Sequence, residues 1–403
     1  MIKVVRNIVV LSLFMCALSV CSGTSSAFDR STIDLEHRVK LFNEVWSVIH
    51  EQHYNPRFAG PEWERVRVKY LPRVMAARDN EEFFQVLREL AWETASSHTA
   101  FLPGSDGHEG DVGLLLKRIN DRVLVTRVIA GSPASNASIR LGDEILSVAG
   151  IPARSLHLNP VESEMRGDEG SSVVLLVRHQ DGRLTSHRME RRPVDFDLPI
   201  EWRTLASGYG YIRVYNFSNQ TRIEQFQQAY AHLKNAPGLI IDVRGPNGGS
   251  PTVVGNILGY FLDRVEMMTF KDRQGRGFKS FTVPQRQPYQ GQVAVLIDER
   301  SRSGQEIFAN TLQEHNRAVI VGTRSCGCVE GGNYVHLSDG EVLEIAHYAV
   351  FTPKSGNLED SGVEPDRIVP ITDKDIAHGR DPQIQAAEQE LSKKIVKLPL
   401  QIK

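Results

Sequence analysis

Residues 293–312 read VAVLIDERSRSGQEIFANTL, and residues 318–322 read AVIVG. The run before Asp298 and the second segment are short, apolar and rich in β-branched residues, which is typical of buried strands. Between them, Ile307 and Leu312 belong to a set of apolar residues at helical spacing. The pattern predicts a strand, a tight loop, a helix and a second strand. The free N–H groups of a helix point at such a loop, and we expect Ser303 to be presented there as a nucleophile.

These residues resemble a known family. The pattern Ser301-x-Ser303-x-x-Glu-Ile, the following Arg-Ala-Val-x-Val-Gly and a closing Gly362-x-Glu-Pro-Asp resemble the C-terminal-processing, or tail-specific, serine proteases. The resemblance covers nearly all of the chain after residue 35. It implies an α/β fold: an N-terminal helical cap, an inserted PDZ β-domain and an α/β core with βαβ units of the ClpP/crotonase-like kind. It also implies that the nucleophile is Ser303 rather than Ser301.

The chain departs from this family at the general base. Most such proteases carry a lysine in a Thr-Phe-Gly-Lys motif, whereas this chain reads Ser325-Cys326-Gly327-Cys328, with Cys328 at the lysine position. Similarity of residues 42–72 to the cap of the tricorn-like branch implies another base, the histidine of the Ser97-His98 pair. Histidine titrates near neutral pH, which suits that task. The alternative is that His98 is only structural.

The resemblance implies further site residues. An acidic residue beyond the nucleophile would orient the histidine together with Ser97, and Glu359 is the best match, with Asp360 and Glu364 as rivals. The oxyanion hole would use the N–H of Gly304 and one N–H from the Asn-Gly-Gly turn after residue 246, where Gly248 is favoured over Gly249. Ordinary alternatives are an acidic surface loop and a simple turn. No metal or other cofactor is expected.

Residues 108–195 resemble a PDZ domain. The segment Val112-Gly113-Leu114-Leu115 resembles its carboxylate-binding loop, where backbone N–H groups receive a peptide C-terminus. The motifs Gly131-Ser-Pro-Ala and Leu141-Gly-Asp-Glu-Ile-Leu complete the match. We therefore expect this domain to capture the C-termini of protein or peptide substrates. The alternative is a domain that only packs on the protease and gates it.

Three accounts of Cys328 stay open. In the first, Ser303 attacks and His98 is the base. In the second, the chain is an inactive family member that acts as a peptide- or ligand-binding scaffold. In the third, Cys326 and Cys328 act as a metal site or redox pair, although zinc sites prefer a longer spacing and four ligands. A free, buried Cys328 that fills the space of the lysine is the simplest expectation, because free cysteine behaves as a small apolar residue.

The N-terminus and the composition predict where the protein works. Lys3 and Arg6 precede an apolar run and a small-residue site at Ala27, which predicts a signal peptide and an exported, periplasmic or extracytoplasmic protein. A retained or lipidated leader that holds the protein at a membrane is the alternative, and a homo-oligomer stays open. A net charge of −2 argues against nucleic acid as the main partner. The expected domains are a leader (1–27), a helical domain (28–107), a PDZ domain (108–195), a protease core (196–375) and a C-terminal helix or tail (376–403).

Overall fold

The computed structural model describes residues 33–102, 109–155, 158–338 and 340–395. The predicted leader therefore lies outside the described residues. Within these ranges, no helix has both the length and the apolar character that a bilayer crossing requires.

The N-terminal layer consists of three amphipathic helices and one short strand. Aspartates cap two of the helices: Asp34 accepts from the N–H of His37, and Asp79 accepts from the N–H of Glu82. The apolar faces bury Phe42, Trp63 and many other side chains in one cluster that includes residues of a C-terminal strand. The elements are α1 (Leu35–Gln52), α2 (Pro61–Ala76), α3 (Asn80–Trp92) and β1 (Ala100–Leu102).

The inserted β-domain has its own apolar core and a five-strand antiparallel path in the order β3-β4-β5-β8-β9, so that β3 lies at the edge. Its elements are β2 (Glu109–Gly110), β3 (Leu114–Ile119), β4 (Arg122–Val128), α4 (Pro133–Asn136), β5 (Glu144–Val148), β6 (Ile151–Pro152), α5 (Leu158–Met165), β7 (Gly167–Asp168), β8 (Ser172–Arg178) and β9 (Leu184–Glu190).

The core is a sheet in the order β10-β11-β12-β15-β16-β20, parallel from β11 onward. Its elements are β10 (Glu201–Thr204), β11 (Gly210–Arg213), α6 (Gln220–Leu233), β12 (Gly238–Asp242), α7 (Pro251–Leu258), β15 (Gln292–Ile297), α8 (Gly304–Glu314), β16 (Ala318–Gly322) and β20 (Arg367–Ile368). Parallel strands bring their carboxyl ends to one edge, so the loops after β12 and β15 meet there. The α/β prediction and the predicted β15–α8–β16 unit are confirmed.

A second sheet joins the core to the N-terminal layer. Its long central strand, β18 (Val342–Thr352), pairs with β1 near one end, where Ala100 lies opposite Glu344. Near its other end, β18 pairs with β13 (Glu266–Lys271), the first strand of a hairpin of the core. The elements are β13 (Glu266–Lys271), β14 (Gly277–Phe281), β17 (Glu330–His336), β18 (Val342–Thr352) and β19 (Gly356–Asn357). Helix α9 (Asp373–Ala377) and helix α10 (Pro382–Ile395) follow. Arg244, at the end of β12, pairs with Asp242 and with Asp381 and thereby fastens α10 to the core.

Candidate active site

Ser303 occupies a strained turn between β15 and α8. Its backbone has φ 53° and ψ −118°, a region that residues other than glycine rarely adopt. The surrounding bonds hold it there, because the Ser303 N–H donates both to the carbonyl of Cys328 at 3.0 Å and to Glu306 at 3.0 Å. This is the geometry of a nucleophile elbow, in which a sharp strand-to-helix turn exposes a hydroxyl. Ser301 instead is fully buried and donates to the carbonyl of Val243.

Glu306 is the buried centre of this loop. Its carboxylate accepts from Ser303 N–H, from the Ser325 hydroxyl, and from the N–H groups of Gly327 (2.8 Å) and Cys328 (2.9 Å). Burial raises the pKa of the Glu306 carboxyl, and the four donors oppose that shift. The first bond is half of a capping box at the start of α8. Sequence analysis missed this residue, although the Ser-x-x-Glu spacing was a usable signal.

The candidate base lies beside the candidate nucleophile. Nε2 of His98 is 3.3 Å from Oγ of Ser303, and Nδ1 of His98 is 2.8 Å from Oγ of Ser97. The Ser97 hydroxyl in turn donates to Glu359 at 3.0 Å, and the Ser97 N–H donates to the same carboxylate at 3.3 Å. The four residues Ser303, His98, Ser97 and Glu359 therefore form one continuous chain of polar contacts.

The rival acidic residues lie outside this chain. Glu364 is exposed and faces Arg324, and Asp360 is a turn residue with φ 64°. Glu359 is held from a second side by the N–H of Val329, which donates to it at 2.6 Å. Of the three carboxylates, only Glu359 therefore contacts Ser97.

The surroundings shift the pKa values of His98 and Glu359 in opposite directions. Burial, with a smaller contribution from the charge of Arg302, lowers the pKa of His98 to about 4, so the imidazole is neutral at pH 7. Burial, followed by the nearby charge of Glu330, raises the pKa of Glu359 to about 7. Arg302 is itself tied to the site, because it donates to the carbonyl of Ser97 at 2.8 Å.

Glycines bring the loop after β12 against Ser303. A Cβ on Gly248 would lie 2.6 Å from Cβ of Ser303, so only glycine permits this approach. A Cβ on Gly304 would lie 3.2 Å from the nitrogen of Gly249, which shows how close the amides of the two loops are. No acceptor within the described ranges bonds the N–H groups of Gly248, Gly249 or Gly304. Backbone N–H groups without an acceptor therefore lie close to Ser303.

The expected free, buried Cys328 is wrong. Cys326 and Cys328 form a disulfide, with Cys326 exposed and Cys328 half-buried. That expectation rested on the behaviour of free cysteine as a small apolar residue. Here Gly327, whose φ is 71°, bends the loop. The N–H groups of Gly327 and Cys328 donate to the Glu306 carboxylate. The loop thus brings the two sulfur atoms together while it supports Ser303.

The edge of the inserted domain contacts the nucleophile loop. Lys117 of β3 pairs with Asp298 and Glu299. Arg300 donates to the carbonyl of Leu116 in β3 and pairs with Glu162 of α5 at 2.9 Å. Arg300 therefore bridges β3 and α5, and the carbonyl it binds belongs to the sheet's edge strand.

In the segment predicted to bind a peptide carboxylate, one backbone donor already has a partner within the chain. Gly113 has φ 83°, and its N–H donates to the Asp111 carboxylate at 2.7 Å. The side chains of Val112 and Leu114 are buried in the core of the β-domain, and Leu115 is half-buried at the start of β3. A peptide carboxylate that used the Gly113 N–H would have to replace Asp111.

The chain shares its domains with known proteins. Residues 208–369 match the profile of peptidase family S41, residues 35–91 match the tricorn protease C1 domain, and residues 124–179 match a PDZ domain. A carboxyl-terminal-processing protease of Synechocystis sp. is 26% identical over 399 residues, which cover 93% of this chain and 91% of that protein. Carboxy-terminal processing protease CtpB of Bacillus subtilis is 29% identical over 283 residues, which cover 68% of this chain and 57% of that protein.

One solved structure has the same fold over most of the chain. The photosystem II D1 C-terminal processing protease superposes with a TM-score of 0.60 at 23% identity and covers 84% of this chain and 93% of that one. Together with the three domain matches, the similarity to the processing proteases supports a serine-type peptidase: residues 208–369 form a domain of peptidase family S41, and a tricorn-type C1 domain and a PDZ domain precede it.

Proposed function

We propose that this protein is an exported endopeptidase that cuts protein or peptide chains near their C-termini, with Ser303 as nucleophile and His98 as general base. The contact of His98 Nε2 with Ser303 Oγ is the observation that carries the proposal. At 3.3 Å it is slightly longer than a working catalytic hydrogen bond, as is common in sites without substrate. The substrate class comes from the names of the relatives, which are carboxyl-terminal-processing proteases.

The chain of contacts assigns the protons. An ionised Glu359 can only accept, so the Ser97 hydroxyl donates to it, and Ser97 Oγ then accepts from Nδ1–H of His98. That tautomer leaves Nε2 free to accept the proton of Ser303. Ser97 and Glu359 thus orient the base and stabilise the imidazolium that forms, as the third member of a serine protease triad does.

The reaction then follows acyl transfer. Oγ of Ser303 attacks the scissile carbonyl carbon, and its proton moves to His98. The N–H of Gly304 and that of Gly248, with Gly249 as the neighbouring donor, receive the oxyanion; each such donor contributes about 10²–10³ in rate. His98 returns the proton to the leaving amine, and water, deprotonated by His98, then hydrolyses the acyl-enzyme. No residue of the Cys326–Cys328 pair takes part in a proton transfer.

Covalent labelling tests the assignment of the nucleophile. We expect a fluorophosphonate probe to modify the folded protein on Ser303, as mapped by tandem mass spectrometry, because His98 activates that hydroxyl alone. We also expect unfolded test proteins to lose C-terminal fragments. A protein that binds peptides but neither reacts with the probe nor cleaves any substrate would support the scaffold alternative instead.

For the PDZ domain we propose capture of the substrate C-terminus at Val112–Leu115 and along the free edge of β3. This edge can accept an added strand, whose side chains would lie beside α5. Arg300 holds the same edge through the Leu116 carbonyl, so a bound peptide must displace it. The proposed peptide-binding edge and the loop that carries Ser303 are therefore linked by Arg300, in addition to the ion pairs of Lys117.

Amidation of the peptide C-terminus is expected to weaken binding to the Ser303→Ala protein about tenfold or more, because charge-assisted hydrogen bonds to the loop are lost. Fluorescence polarisation of a labelled peptide measures this effect. Arg300→Ala should instead tighten binding, since it removes the competitor for the edge of β3. Equal affinity for the free and amidated peptides would contradict capture of the substrate C-terminus. It would favour the alternative, in which the domain only packs on the protease and gates it.

A further inference from the structure

A second carboxylate lies against the candidate catalytic chain. Glu330 is the first residue of β17 and is buried. Its Oε2 accepts from the hydroxyl of Ser96, from the N–H of His98 at 3.2 Å and, at 3.4 Å, from the hydroxyl of Ser97. Three consecutive residues that end in the candidate base are therefore fastened to one oxygen atom.

Glu330 and Glu359 compete for the same hydroxyl. Oγ of Ser97 is 3.0 Å from Glu359 and 3.4 Å from Glu330, and the charge of Glu330 is the second cause, after burial, that raises the pKa of Glu359 to about 7. A half-buried carboxylate beside a second negative charge is hard to ionise. Glu359 therefore gains a proton as the pH falls through about 7.

The surroundings of the pair contain few charges that offset it. Tyr54 bonds Glu330 and feels the charges of Glu330, Glu359 and Asp360. Glu344 adds a further carboxylate beside Glu330, and the positive charge of Arg302 faces Glu344 and His98. No cation in the described part of the chain forms an ion pair with Glu330 or Glu359. The proton that Glu359 accepts therefore offsets negative charge that no cation in the described residues neutralises.

Protonation of Glu359 changes what Ser97 can do. A protonated carboxyl can donate to Ser97 Oγ, which frees the Ser97 hydroxyl to donate to Nδ1 of His98. The imidazole then carries its proton on Nε2 and cannot accept one from Ser303. The resting site is therefore competent when Glu359 is a carboxylate and loses the correct tautomer when it is not.

From these contacts we infer that Glu330 is a positioning residue of the site: it fixes the Ser96–His98 segment and sets the pH below which Glu359 stops orienting Ser97. This inference rests on the proposed catalytic chain. The sign follows from an acid whose pKa is raised: as pH falls through about 7, Glu359 gains its proton and activity falls. The acid limb of kcat/KM should lie near pH 7, well above the pKa of His98, which is about 4.

The test is the pH profile of Glu330→Gln, which keeps the shape of the side chain and removes its charge. We expect the acid limb of kcat/KM to move to lower pH by about half a unit to one unit. The matched control is Asp360→Asn, which removes a carboxylate one residue from Glu359 at a turn position that asparagine accepts. Its acid limb should stay in place. An unmoved limb in folded Glu330→Gln would overturn the inference.

A second measurement needs neither activity nor a folded Glu330 variant. In the Ser303→Ala protein, infrared difference spectroscopy should detect one buried carboxyl that titrates near pH 7, and Glu359→Gln in the same background should remove it. Absence of that signal would overturn the inferred protonation of Glu359 beside Glu330, even if Ser303 and His98 prove essential. If Ser303→Ala keeps its activity, the proposed catalytic chain fails instead, so the two failures are distinguishable.

Discussion

Replacing Ser303 with alanine is expected to lower kcat/KM for peptide cleavage by about 10⁴-fold or more, because no acyl-enzyme can form. The substitution removes one oxygen atom and leaves the N–H contacts to Glu306 and Cys328 in place, so stability should change little. Cleavage of a fluorescent peptide measures the rate, and thermal unfolding measures the stability.

The matched control for this change is Ser301→Ala, two residues earlier in the same loop. Ser301 donates to the Val243 carbonyl and accepts from the N–H of Asp298. Its loss should cost about 1–3 kcal/mol of stability, since buried partners are left unsatisfied, yet cleavage should persist. If Ser301→Ala abolished cleavage in a folded protein while Ser303→Ala did not, the assignment of the nucleophile would be wrong.

His98→Ala should lower kcat/KM by a similar factor of about 10⁴ or more, because triad members act as a unit and the loss of either one removes most of the effect. The fluorophosphonate reaction should slow in parallel, since the Ser303 hydroxyl is no longer deprotonated. Both rates can be measured on one preparation. Lys117, which is near the loop, is paired with Asp298 and Glu299 and is not expected to replace the imidazole.

The double variant Cys326→Ser with Cys328→Ser tests whether the general base is His98 or lies in the Cys326–Cys328 loop. A disulfide sulfur carries no proton to exchange, so we expect this variant to keep cleaving. Its unfolding midpoint should fall, because a cross-link that restricts the unfolded chain is lost. Full activity in His98→Ala together with none in the serine double variant would reverse the assignment of the base.

The sequence predicted those parts of the molecule that have a local pattern. The strand before Asp298 and the helix after Ser303 follow from apolar periodicity within 20 residues. The meeting of His98 with Ser303 depends on pairing between distant segments, and only the family resemblance pointed to it. Glu330 gives no periodic signal, because one buried carboxylate is indistinguishable from an exposed one until its neighbours are known. The disulfide was missed because spacing alone does not describe how Gly327 bends the loop.

Because β1 pairs with the distant strand β18, the order of synthesis determines when the proposed site can form. His98 and Ser303 are 205 residues apart, and Ser97 and Glu359 are 262 residues apart. Contacts between residues so far apart in sequence form late in folding, because the intervening chain must first be ordered. A growing chain holds the imidazole long before β18 and Glu359 have left the ribosome. If the proposed site is correct, nascent chains and chains truncated before Glu359 cannot hydrolyse peptides, and activity arises only once Glu359 has been added.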